Sequence, residues 1–182
     1  MTTPALKEWS AAIHALLAGR QTVLLRKGGI HEKRFEVAAS RFLLFPTVAH
    51  SHTERVRPEH RDLLGPATAD STDDAIVLRA GARVVAAVEV QRPANLAAIA
   101  GRHIWTEESV RTDRLDFRPR HRLTALVVSA APLAPPVRLC RTADYRGCAS
   151  WVTLPVDPVW GPPVVADADL EDIAGELRAS VG

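Results

Sequence analysis

Apolar residues recur at helical spacing over residues 4–18, where Leu6, Trp9, Ile13, Leu16 and Leu17 fall on one face. Thr2 or Thr3 is placed to cap this helix, Pro4 suits its first position, and Gly19 suits a left-handed exit. The period then shortens. Residues 21–26 read as a strand ending at Lys27-Gly28-Gly29, and residues 35–45 as a second strand region terminated by Pro46. Residues 50–64 are polar, with Pro58 starting a short helix that Gly65-Pro66 stops, and residues 67–74 read as an exposed loop. Two strands, 75–80 and 83–91, flank Gly81 as a hairpin. A short helix follows from Pro93 to about residue 100. The most apolar run, 123–131, belongs in the sheet interior, and the prolines of 132–136 break it. Residues 137–140 and 150–154 are further strands around a turn-rich loop. A proline-rich stretch, 155–163, leads to a last helix over 167–180 with acidic first turns and an apolar stripe of Leu170, Ile173 and Leu177.

These elements predict an α+β fold: a mixed, partly barrel-like sheet with an N-terminal helix packed on it and a C-terminal helix. Residues 1–154 read as a single domain, and 155–182 as a linker and terminal helix. A chain of 182 residues buries enough surface to hold a core without metal or disulfide. Hydrophobic residues make up 47% and charged residues 24%, which excludes wholesale disorder.

Charge adds little at first, because the net value is only +2. The basic groups are mostly Arg, which forms bidentate contacts with phosphates and carboxylates. No apolar run is long enough for a membrane span, and MTTPALKEW has no secretory pattern, so the expected location is cytoplasmic with reduced thiols. Cys140 and Cys148 match no zinc spacing. No cofactor is expected.

The sharpest local signal is Arg26-Lys27-Gly28-Gly29-Ile30. Strand-end cations followed by glycines can form a nest of backbone N–H groups beside positive charge, which suits an anion. The stretch from Arg20 to Arg61 is rich in Lys, Arg and His, and a second cluster holds Arg111, Arg114, Arg118, Arg120 and Arg122. Folded together, the two would line one groove. Trp9, Trp105, Trp151 and Tyr145 are candidate stacking surfaces, although large aromatics more often fill cores. His50-Ser51-His52 with His60 reads as a surface loop rather than a metal site. Glu89, with Asp74 upstream, is the one position that fits a metal-dependent phosphodiesterase of the PD-(D/E)xK type. Cys148, with His103 or His121 as base, is a weaker match to a nucleophile than to a buried structural thiol.

Lys7-Glu8-Trp9, Arg26-Lys27-Gly28-Gly29-Ile30, Phe42-Leu43-Leu44-Phe45-Pro46-Thr47 with His50, His103-Ile104-Trp105 and Tyr145-Arg146-Gly147-Cys148-Ala149-Ser150-Trp151 occur in that order. This series resembles a prokaryotic family described only as a domain of unknown function, which implies no activity and no catalytic residues. A more distant likeness is to PUA-like folds of the ASCH branch, through Gly19-Arg20-Gln21-Thr22 and the strand ending in Arg26. Gln21 stands where those proteins carry Lys, and Leu24 or Leu25 where they carry Glu.

The function expected from these readings is a binding module for RNA, nucleotide or another phosphate-bearing ligand. The expected site is Arg26, Lys27, Gly28 and Gly29, with Arg20, Arg34 and Arg41 extending the field and His50 as a hydrogen-bonding group. The alternatives are the Glu89 phosphodiesterase and a non-catalytic protein-interaction domain. No catalytic residue is assigned.

Overall fold

The computed structural model describes residues 2–28, 35–48 and 52–182. It is an α+β structure built on one mixed six-stranded sheet, in the order β2-β5-β4-β3-β1-β6. The strands are β1 (Thr3–Trp9), β2 (Val23–Lys27), β3 (Arg41–Thr47), β4 (Ala75–Glu89), β5 (Leu123–Cys140) and β6 (Trp151–Leu154). The helices are α1 (Ser10–Leu17), α2 (His52–Arg55), α3 (Leu64–Ala69), α4 (Glu107–Val110) and α5 (Asp167–Ser180). Three-residue-per-turn segments cover Pro58–Leu63 and Pro93–Arg102, and a wider π-type segment covers Arg111–Asp116.

The sheet is open but strongly curled. Leu6 of β1, Leu24 of β2, Phe42 and Leu44 of β3, Ala82 of β4 and Leu126 and Val128 of β5 join Ile13 and Leu16 of α1 in one buried cluster. Five strands thus wrap α1. On another side, Leu170, Ile173, Ala174 and Leu177 of α5 pack with Val23, Val88 and Val127 of the sheet. The stripe read over 167–180 is the face that α5 buries.

The N-terminal helix begins later than its pattern predicts. Residues 3–9 are strand: Ala5 and Leu6 are fully buried, with Leu43 and Leu44 of the parallel neighbour β3 on one side and Val152 and Trp151 of β6 on the other. Only Ile13, Leu16 and Leu17 keep the helical role, and Gly19 makes the left-handed exit at φ +69°. The period is ambiguous over so short a window, and pairing on both edges decides it.

Gly81 is not a hairpin. It lies within the continuous strand β4, opposite Ala131. A Cβ built there would fall 2.1 Å from the Trp160 ring, so the glycine admits the indole. Nor do the prolines of 132–136 end β5. The side of β5 away from β4 loses its β2 partner there and is lined instead by 159–164, with Gly161 N–H donating to Pro132 O at 2.7 Å and Val164 N–H to Ala130 O at 2.9 Å. Pro46 likewise sits inside β3, beyond Leu43, where the pairing with β4 stops.

Gly65-Pro66 falls in the first turn of α3, where a missing N–H costs nothing, so the helix runs on to Ala69. The expected loop 67–74 is therefore anchored. Asp70, with its side chain 2% exposed, accepts from Arg79 Nε at 2.8 Å on both oxygens and bonds His14 Nε2 at 2.6 Å. This joins α1, α3 and β4.

Candidate functional site

A cleft of about 350 Å³ opens where β1 meets α1 and β2 ends. Its walls come from three distant stretches: Trp9; Arg26, Lys27 and Gly28; and Asp113, Arg114, Phe117 and Arg118, with Cys148 and Ser150 closing one side. The curl of the sheet makes this possible. Arg26 belongs to an edge strand, yet its guanidinium donates to Lys7 O at 3.0 Å and to Glu8 Oε2 at 3.1 Å, four strands along.

Arg26 lines the cleft and is paired with Glu8, which does not. The Glu8 side chain is 4% exposed and that of Arg26 14%. Glu8 Oε1 also accepts from Trp9 N–H at 2.8 Å, so one carboxylate holds both the strand-to-helix junction and the arginine. The Arg26 guanidinium lies 5.2 Å from the Phe35 ring centroid, and its buried Nε has no hydrogen-bond partner among the described residues.

Arg114 follows α4 on the π-type segment. Its Nε donates to Leu25 O at 3.2 Å and its Nη1 to Asp113 O at 3.3 Å. Burial lowers its pKa, opposed by Glu8 and reinforced by Arg26. Lys27 Nζ donates to Leu115 O at 3.2 Å and also to Phe117 O. Its pKa is lowered by desolvation first and by Arg114 second. Burial is the main cause of both shifts, and a neighbouring arginine adds to each.

Phe117 is 56% exposed at the rim, and the Arg118 guanidinium covers it at 4.9 Å from the ring centroid. Arg118 makes no ion pair among the described residues. Trp9 is held edge-on by Trp105 at 5.1 Å, with His52 at 4.3 Å and Arg55 at 5.4 Å from its ring. The cleft thus pairs four cations with one lining carboxylate and two aromatic rings.

The chain matches the family described as Domain of unknown function (DUF1802) over residues 5–176. It belongs to that family. No curated protein matches this DUF1802 chain. Among solved structures it is similar to the ASCH protein of Zymomonas mobilis, at 12% identity over 98% of this chain and 95% of that one, with a TM-score of 0.47. A serine-to-alanine variant of the same protein aligns at 15% identity over 94% of each chain, with a TM-score of 0.49.

Of the residues expected in the site, Arg26, Lys27 and Gly28 line the cleft, and Arg114 and Arg118 of the second cluster join them. Gly29, Arg34 and His50 lie outside the described residues. Arg20 and Arg41 are not brought there. Arg20 follows the far end of α1 and pairs with Asp62 at 2.7 Å. Arg41 starts β3, at the opposite end of the β1–β3 ladder from Trp9, with its guanidinium 4.0 Å from the Trp160 ring centroid. Phe117 and Asp113 were not legible as site residues. The only sequence signal was a lone aromatic in a charged stretch without period.

The other candidates separate cleanly. Asp74 immediately precedes β4 and Glu89 ends it, about 50 Å of strand apart at roughly 3.3 Å per residue, so they do not share a metal. Glu89 is paired with Arg122 instead. No group of three metal-ligating side chains occurs among the described residues, and His52 is buried against Trp9. Cys148 is exposed and free, not a buried structural thiol, and so is Cys140. Among the described residues no helix is long and apolar enough to cross a membrane.

Proposed function

We propose that the chain is a binding module for a phosphate-bearing ligand, RNA or a nucleotide, and that the cleft at the end of β2 receives it. The observation that carries this reading is the convergence of Arg26, Lys27, Arg114 and Arg118 with Trp9 and Phe117 on one cleft. Cations that neutralise phosphates, next to ring faces on which bases stack, are the two components of single-strand recognition.

The roles divide by freedom. Arg26, Lys27 and Arg114 are tied to backbone carbonyls and supply a fixed positive field. Arg118, which makes no ion pair among the described residues, is the cation left to swing onto the ligand. Phe117 and Trp9 offer ring faces at the rim and the inner wall.

Fluorescence anisotropy with a labelled oligouridylate tests the reading. If three phosphates are neutralised, affinity falls roughly 20-fold between 50 and 200 mM salt, from a single-strand slope of about 0.7 per phosphate. Lys27→Ala and Arg118→Ala each weaken binding and flatten that slope by about 0.7. Absent binding, or binding indifferent to salt and to both substitutions, rejects the proposal.

A further inference from the structure

A second cavity, of about 230 Å³, lies between the Pro93–Arg102 segment, α4 and Trp105. Leu96, Ala97, Ala100, Trp105 and Val110 make most of its wall apolar, and Arg57, His103 and Glu107 are its polar members. It contains part of the His103-Ile104-Trp105 motif, which the cleft does not use.

His103 lines this cavity and is 3% exposed. Its Nδ1 accepts from Trp105 N–H at 3.2 Å, which places the proton of a neutral ring on Nε2. Burial, followed by the Arg57 charge, pushes its pKa down to about 4, so the ring is neutral at pH 7. Nε2 makes no hydrogen bond among the described residues yet is not sealed from solvent, so it can donate to an acceptor that enters the cavity. Arg57 cannot take a ligand in its place. Its guanidinium donates to Ala100 O at 2.8 Å and to His103 O at 2.5 Å, which holds the cavity's frame.

We propose that this cavity binds a compact, uncharged, largely apolar molecule bearing one carbonyl oxygen, which accepts a hydrogen bond from His103 Nε2–H. The walls disfavour a charged ligand: an anion would meet Glu107, a cation would meet Arg57, and the remaining wall is apolar. The single fixed donor sets orientation, as the few polar groups of small-molecule pockets do. The site is separate from the cleft and does not depend on what the cleft binds.

Acetophenone and ethylbenzene are matched probes in shape, with and without the carbonyl. Saturation-transfer NMR and tryptophan fluorescence should show acetophenone binding tighter, on the order of fivefold. His103→Leu should abolish that preference while ethylbenzene still binds. Ala100→Phe, at a half-buried wall position, should fill the cavity and remove both. Equal affinity of the two probes for the wild-type protein, no transfer from either, a preference that survives His103→Leu, or binding unchanged by Ala100→Phe would overturn the proposal.

Discussion

Glu8→Gln should move stability and ligand affinity in opposite directions. The wild-type carboxylate accepts from Trp9 N–H with one oxygen and from Arg26 with the other. Glutamine has a single acceptor oxygen, so either the amide at the start of α1 loses its acceptor or the guanidinium keeps only Lys7 O. The guanidinium is 14% exposed and Arg114 adds like charge nearby. Breaking a buried pair of this kind costs about 3 kcal/mol, visible as a lowered urea midpoint at unchanged slope. The same substitution removes the negative charge beneath the cleft. For an anion about 7 Å away at an effective dielectric of roughly 40, that is about 1 kcal/mol, or roughly a fivefold gain in affinity at low salt. Urea denaturation and anisotropy titration on one preparation give both numbers. If affinity falls together with stability, the ligand does not sit over the Glu8–Arg26 pair, and this account of the cleft is wrong.

Acid should destabilise the protein through two buried imidazoles. His52 and His103 are both lowered to about 4 by burial. Unfolded histidines bind protons below about 6.5 while the folded ones resist, so stability falls as pH drops from about 6.5 to 4. In His103→Gln the decline between pH 7 and 4.5 should be smaller by about 2 kcal/mol, read by urea melts at each pH. Asp70→Ala should cost about 3 kcal/mol by unpairing Arg79 and His14 together, and Asp70→Asn roughly half that; losses below 0.5 kcal/mol for both would show that 67–74 is the loose loop its composition suggests. Gly81→Ala should expel Trp160 and lower the melting temperature. In Trp160→Ala it should cost much less, a coupling that a double-mutant cycle measures.

Local rules were enough for some of this protein. The helix over 167–180, the strand at 151–154, the left-handed turn at Gly19 and the basic end of β2 depend on period, capping and backbone freedom within a few residues, and each is visible in the chain itself. So was the presence of two arginine-bearing stretches suited to one groove. Partners far away in sequence decided the rest. Residues 3–9 become strand because β3 and β6 pair on both sides of them. Gly81 is small because Trp160 arrives from 79 residues downstream. Asp70 is buried because a helix and a strand each bring it a hydrogen-bonding partner. In the cleft, the curl of the sheet brings Arg26 to Glu8 and turns Arg114, Phe117 and Arg118 toward Trp9, while Arg20 and Arg41, from the same basic stretch as Arg26, are carried away along α1 and β3. Composition counts charges, but the direction in which each one points is set by packing between elements, and only the folded sheet supplies that.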